Sequence, residues 1–482
     1  MLYTNIKLNI RKKEERRDYM TFLDYAILVL YLLGMLAIGY FASKKIHNAH
    51  DFSIGSKQIG PFVLICSSIA TASGAGTCMG QAGKAYTEGF SAFWLVIAWT
   101  IGMFVLALMA KRIYNTNAES VSGIFEKFHN KTTGRVAGVY TMIYCFGTLI
   151  SQTIGMGLVI DLILGDAITY QMAVLIGGGI TIIYTLFGGF YAVTYTDTVQ
   201  MIILGISVVI IFPLVVINGT ADATLTAMEN VFTAGTFDIM NNVSIWSLLA
   251  VIFTYTFSAC TGIPYIQRVL AARNAKEAQS SMAISSIGYF VVGIVVMIFS
   301  IYAKLFFPSL SNSDTIVVQT MVHHFPTVLA GFGIAGLVAA LMSTIDSYLL
   351  VVGQIFTQDI CGWAMPNMSE KTELIICKYS TVLFGVISII SALFIQSILV
   401  VYEFGTVIYS AAIFFPFVLS IYWKKTSPTG VICGMISGSI MALLLELFPG
   451  WQVDGVIVGN IVSLIFTVLM SLIKPKKEMA LS

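Results

Sequence analysis

FGIAGLVAALMSTIDSYLLVVG, residues 332–353, is a lipid-soluble run with three aliphatic hydroxyls and a carboxyl at its middle. On a helix Ser343, Asp346 and Ser347 fall at i, i+3 and i+4, with Thr344 beside them and Ala340 one turn earlier on the same side. A hard monovalent cation wants about five or six oxygen ligands and no nitrogen or sulfur, and such a face supplies several of them. A lone Ser or Thr in a membrane helix more often bonds back to the carbonyl four residues earlier or joins two helices. Asp346 changes that balance, because an intramembrane carboxylate costs roughly 3 kcal/mol and marks an ion path or a partner charge. No Lys or Arg falls near the middle of any apolar run to neutralise it, so Asp346 is either protonated or balanced by a cation from solution. The face reads as a sodium site.

The rest of the chain matches that depth. Of 482 residues 57% are hydrophobic and 10% charged, and the mean hydropathy is +0.87, a surface that no soluble protein of this size carries. A bilayer core takes about 20 apolar residues per helix. Thirteen such runs occur, near 21–42, 61–81, 90–112, 136–163, 168–187, 191–217, 246–267, 281–306, 327–350, 374–396, 399–422, 430–448 and 455–473. An odd number puts the termini on opposite sides. With the first terminus outside, eighteen Lys and Arg, Arg268 and Arg273 among them, fall on the cytoplasmic side and only Lys84 and Lys304 outside, a strong positive-inside bias. The six basic residues of the polar tail 1–19 contradict it. A start at Met20 removes the conflict; otherwise the later loops overrule a short tail of mixed charge.

The expected layout is a first helix and cytoplasmic loop over 20–60, a five-helix unit over 61–217, an outer loop 218–245, a second unit over 246–423, two accessory helices over 424–473 and a cytoplasmic tail 474–482. Several function classes drop out. Seven scattered cysteines lack CxxC spacing, so neither a disulfide framework nor a zinc site is indicated. A net charge of +2 gives nucleic acid nothing to hold. No GxxxxGK[ST] segment and no nucleophile–base or metal-ligand spacing occurs, which argues against ATP use and against an enzyme. Energy for pumping then comes from an ion gradient across a plasma or inner membrane, with the monomer as the working unit.

Two places should break their helices. SSIATASGAGTCMGQAG, residues 67–83, carries Gly74, Gly76, Gly80 and Gly83, which favours local unwinding; the spacing of Gly76 and Gly80 also suits a small-residue packing face. In 258–264, SACTGIP, Gly262 and Pro264 interrupt the seventh run. If spans two to six and seven to eleven are two units of opposite orientation, each begins with an interrupted helix, the sequence pattern that points to a midplane binding site. Asp197, near the inner end of the sixth run, either lines the ion's exit or caps a helix terminus, and Glu403 and Glu446 read as interfacial.

At GGFYAVTYTDTVQ (188–200), GIPYIQRVLAAR (262–273) and AALMSTIDS (339–347) the chain resembles the sodium:solute symporter family, which holds carriers of proline, sugars, pantothenate, sialate and choline. The likeness runs from Met20 to the C-terminus. It implies an all-α polytopic membrane protein with the LeuT-type 5+5 inverted-repeat fold and about 13 transmembrane helices, importing a small organic solute with sodium by alternating access. The principal sodium site would use backbone oxygens of Ala70 and Ser73, the carbonyl of Ala340 and the hydroxyls of Ser343 and Thr344. A second cation or proton site would fall at Asp197, Asp346 and Ser347 with Ser343. Asp346 departs from the hydroxyl found there in sialate-carrier-like members, which leaves the stoichiometry open.

The TYTD and STIDS wording leans towards the proline- and choline-carrier-like branches, with an amino acid, a betaine or choline-like solute or a monocarboxylate as cargo. A quaternary ammonium wants an aromatic face, yet residues 70–80 contain none and Ala72 stands where a Trp would serve. Ala72, Gly74, Gln81, Gln152, Tyr255 and Phe257 are the residues expected at the solute cavity, with core packing the alternative for the two aromatics. The competing functions are proton-coupled symport through Asp346 and a solute receptor, which would need a separate signalling partner because little chain follows the last run.

Overall fold

Helices form over the apolar runs and are bounded by the polar residues that flank them. The computed structural model describes residues 20–44, 59–221, 223, 228–229, 231–233, 235–365, 368–395, 397–448 and 453–475. Expectations placed on the tail 1–19, on Lys45 and Lys57 and on Lys476 and Lys477 lie outside the described residues. The helices that matter below are α1 (Phe22–Ser43), α2 (Pro61–Ala72), α3 (Phe93–Asn115), α4 (Lys131–Leu164), α5 (Tyr170–Leu204), α6 (Ile263–Ala271), α7 (Ala275–Ala303), α8 (Leu329–Ile355), α9 (Glu370–Phe394), α10 (Ile398–Tyr422), α11 (Pro428–Leu447) and α12 (Gly455–Ile473). Their starts follow capping chemistry. Asn130, Asn274 and Ser369 each accept a backbone N–H of the turn they precede, and Pro61 opens α2, where its missing N–H costs nothing.

Eleven helical stretches among the described residues are long and apolar enough to cross a membrane, with Pro61–Ala72 and Tyr170–Ile183 as shorter apolar pieces. The thirteen runs differ from this at two joints. The run 61–81 splits after Ala72, and the runs 168–187 and 191–217 join through α5, which kinks at Gly189 (φ 51°, ψ −163°). That backbone geometry is open to glycine and strained for other residues.

The helix bearing the oxygen face lies at the centre. Every residue of the apolar window in Leu329–Cys361 is buried, and α8 packs against α1, α2, α4, α5 and α9. A helix apolar on all sides is one enclosed by others. The periphery is built the opposite way: Leu30, Leu33 and Phe41 of α1 and Leu472 and Ile473 of α12 turn large apolar side chains outward, as a lipid-facing surface requires. Helices α11 and α12 pack on each other and on α10.

One acid that the sequence reading passed over fixes the entry to α8. Asp24, fully buried at the start of α1, accepts the backbone N–H groups of Val328 and Gly331 at 2.8 and 3.0 Å. These amides are left over at a helix start, where a carboxylate is stabilised by both hydrogen bonds and the helix dipole.

Both expected breaks are present. Ser73 (φ −95°, ψ 29°) ends α2, and the chain is helical again from Ala75 (φ −55°, ψ −38°), with one wide turn over Gly76–Gln81. The interruption covers Ser73 and Gly74, narrower than the glycine-rich segment suggested. Gly74 is the glycine that close approach demands, since a Cβ there would run into Thr344 Oγ1 and Gln152 Oε1. Gly76 faces open space, while Gly80 lies against Leu399. The second break falls at Thr261 and Gly262, with Pro264 in the first turn of α6.

Candidate cation and solute site

The two breaks and α8 meet. The Thr344 hydroxyl donates across to the Thr71 carbonyl at the end of α2 (3.0 Å) and back to Ala340 of its own helix (3.1 Å), while Ser343 Oγ donates to the same Ala340 carbonyl (2.9 Å). The back-bonds are the ordinary habit of helix hydroxyls. The reach to Thr71 is not. Two carbonyls and two hydroxyls thus converge where α2 gives way, all excluded from solvent. Hydroxyl hydrogens rotate, so each oxygen that now donates can turn a lone pair to a cation, and the carbonyls it releases become ligands.

Ala70 and Ser73 stand on the same broken end. The Ala70 carbonyl accepts the Ser73 N–H at 3.0 Å, and the Ser73 carbonyl accepts the thiol of Cys78 at 3.0 Å. The carbonyl in direct touch with α8 is that of Thr71, which the sequence reading left out. Nothing in the letters separates it from its neighbours, because every residue offers the same backbone oxygen.

Arg268 overturns the expectation of a cytoplasmic loop and of span interiors free of positive charge. It is 1% exposed, carried on α6, whose residues are buried throughout. Its Nη2 pairs with Asp197 Oδ2 at 2.9 Å, both side chains shut off from water. The same guanidinium donates to Ser67, Thr71 and Ser347 hydroxyls at 2.8, 2.7 and 2.9 Å and to the Pro264 carbonyl at 2.9 Å. Asp197 therefore neither caps a terminus nor lines an open exit: it sits within α5 as one half of an ion pair. Burial of such a pair is costly unless its donors and lone pairs are satisfied; the hydroxyls of α2 and α8 take up the guanidinium's other donors, while Asp197 Oδ1 stands buried without a hydrogen-bond partner. Asp346 is fully buried in α8 beside Ser347.

A cavity opens beside the hydroxyl cluster and shares Thr71 and Thr344 with it. Of the residues expected to line it, Ala72, Gly74, Gln81 and Gln152 do so, and Gln152 Oε1 accepts the Ala75 N–H just past the break at 2.7 Å. Tyr255 stands one layer behind, against Trp99 and Tyr402, with its hydroxyl donating to Glu403 at 2.8 Å. Glu403 thus has an internal partner. Phe257 stacks on Phe414 at 3.6 Å and lies outside the lining.

The aromatic face that residues 70–80 lack comes from elsewhere. Trp99, Tyr265, Tyr289, Tyr348 and Tyr402 line the cavity, with Trp99 packed 6.2–6.4 Å from the rings of Tyr265, Tyr289 and Tyr402. None of the lining residues is charged. Sequence reasoning missed all five, since aromatics in apolar runs carry no mark that separates a lining ring from a packed one.

The family model for the sodium:solute symporter family matches residues 52–438. The osmoregulated proline transporter OpuE of Bacillus subtilis is 26% identical, covering 94% of this chain and 95% of that protein. The sodium/proline symporter of Escherichia coli is likewise 26% identical, over 91% and 92%. Among solved structures, a Na+-coupled sialic acid symporter in its substrate-bound outward-open state superposes with a TM-score of 0.82 at 21% identity, covering 96% of this chain and all of that one. MhsT in complex with L-phenylalanine gives a TM-score of 0.54 at 14% identity, over 85% and 97%. At these identities the likeness carries the fold, the LeuT-type helical architecture.

Proposed function

The chain belongs to the sodium:solute symporter family, and from that premise we propose that it imports a small zwitterion bearing a secondary or quaternary ammonium, proline-like or betaine-like, together with sodium. Coupling by sodium is the family's property. The ion sits between the end of α2 and the oxygen face of α8, on the Ala340 carbonyl, the Ser343 and Thr344 hydroxyls and carbonyls of residues 70–73. The observation that carries this reading is Thr344, which touches α2 through Thr71 and also lines the cavity. Sodium bound there fixes the wall of the solute site, so each ligand raises the affinity for the other.

The solute class rests on two supports. Relatives named as proline carriers match over nearly their whole length, and the cavity offers aromatic rings without a charged side chain, the surroundings in which an ammonium is held by ring faces. Its carboxylate would be taken by the side-chain amides of Gln81 and Gln152, which line the cavity. The monomer holds all of these parts and is the working unit. The first terminus lies outside, the last in the cytoplasm of a plasma or inner membrane, as the basic residues favour even with Arg268 removed from their number.

Proteoliposomes holding the purified chain test this directly. Radiolabelled proline should accumulate under an inward sodium gradient, and glycine betaine should compete. Uptake indifferent to sodium, or driven by a pH gradient in its absence, would overturn the coupling; sodium-stimulated uptake of a sugar and of no zwitterion would overturn the solute class.

A further inference from the structure

Asp197 lies in a shell of hard oxygens whose chemical type suits a sodium ion but whose occupant is Arg268. Around one guanidinium stand a carboxylate oxygen of Asp197, the hydroxyls of Ser67, Thr71 and Ser347 and the carbonyl of Pro264. The Ser67 hydroxyl donates in turn to Asp197 Oδ2, and the Thr71 and Ser347 oxygens lie 3.2 Å apart. That is one negative charge and four neutral oxygens, the donor set that alkali and alkaline-earth cations select. The group at the centre is the Arg268 guanidinium, which donates to all five.

We infer that Arg268 is the built-in cation of this cluster, and that the Asp197 and Ser347 oxygens take no sodium while it is in place. The inference rests on the sodium-coupled reading above only for the identity of the competing ion. Its physical basis is room and charge. The lone pairs of Asp197 Oδ2 and of the three hydroxyls already meet N–H groups, and although Asp197 Oδ1 has no hydrogen-bond partner, the carboxylate has its single charge balanced at 2.9 Å. A second cation within reach of these oxygens would sit against a fixed positive charge in a dry interior, where Coulomb repulsion is least screened.

A tethered cation also does something that a mobile one cannot. Arg268 ties α6, just after the second break, to α2, just before the first, and to α5 and α8. It cannot leave with the solute. The cluster therefore keeps its charge through the transport cycle, and sodium coupling is left to the Ala340, Ser343 and Thr344 oxygens.

Equilibrium binding of 22Na+ to purified protein, counted per chain, tests the inference. Arg268→Gln should gain one sodium over the native count, and Arg268→Gln with Asp197→Asn should lose that gain. No gain in folded Arg268→Gln, judged by size-exclusion profile and thermal transition, overturns it. Should Arg268→Gln not fold, Ser347→Ala keeps both charges and answers the same question: its sodium count and affinity should stay within twofold of native, and the loss of one sodium or a tenfold weakening overturns the inference. The native count itself tests sodium coupling; the increment in Arg268→Gln tests Arg268.

Discussion

Thr344 and Thr71 are joined by a 3.0 Å hydrogen bond from hydroxyl to carbonyl, so a rotatable hydroxyl proton is among the links between the central helix and the broken end of α2. In the sodium-bound state proposed above, the ion would replace this bond by several contacts beside a cavity wall that Thr344 also forms. Binding at the two proposed sites would then be linked through a shared residue.

Ser343→Ala with Thr344→Val removes both hydroxyls and keeps the volume of the threonine. Each lost contact to a charged group is worth about 1.5–3 kcal/mol, or roughly 10- to 150-fold in affinity. The sodium concentration for half-maximal uptake should rise at least 100-fold while the protein still inserts and purifies normally. A sodium titration of uptake and of the thermal transition checks this; an unshifted titration removes the assigned site.

Gly74→Ala places a methyl against Thr344 Oγ1 and Gln152 Oε1. Overpacking of this kind costs about 1–3 kcal/mol, and here it pushes apart the two elements proposed to hold the ion. Sodium-driven uptake should fall more than tenfold. Gly34→Ala, on the outward side of α1 where nothing lies within 4 Å, should leave uptake near native. Equal effects of the two changes would mean that Gly74 matters only through helix propensity.

The aromatic lining predicts a division between rings. Trp99 packs against three of the other cavity rings, and a cation over an indole face gains about 1–2 kcal/mol when desolvated. Trp99→Ala should raise the apparent Km for proline about tenfold or more, whereas Trp99→Phe should keep most of the affinity. Competition by uncharged analogues of the same size separates the causes: if they weaken as much as betaines do, Trp99 acts by shape alone.

Much of the fold was legible because membrane insertion imposes rules on letters. Apolar length located the helices, and glycine with proline located both interruptions. The oxygen face of α8 could be read because Ser343, Thr344, Asp346 and Ser347 lie within five residues of one helix. What remained hidden depends on partners far along the chain. Arg268 looked like a loop residue because the break at Gly262 ended the apolar pattern early, and only packing of α6 against α2 and α8 shows that its charge points inward. Asp24 was invisible for the same reason, since its partners are backbone amides at Val328 and Gly331. The aromatic lining belongs to five separate helices and has no local signature at all.

Asp314 supplies a pH dependence outside the membrane spans. The turn Ser313–Thr315 lays this carboxyl and its backbone against Gly83, on the stretch that resumes after the first break, and burial pushes the carboxyl up to about 6. An ordinary aspartate titrates near 3.9, so the folded protein holds this proton more tightly than the unfolded chain does. The associated stability is fully present below about pH 4, declines as pH rises through about 6 and is absent above it. Asp314→Asn keeps the shape without the titration. The thermal transition of native protein, minus that of Asp314→Asn, should therefore fall between pH 4 and 7 and level off beyond. A difference that rises with pH over this window would mean the carboxylate is stabilised where it sits, and that the turn does not close as drawn.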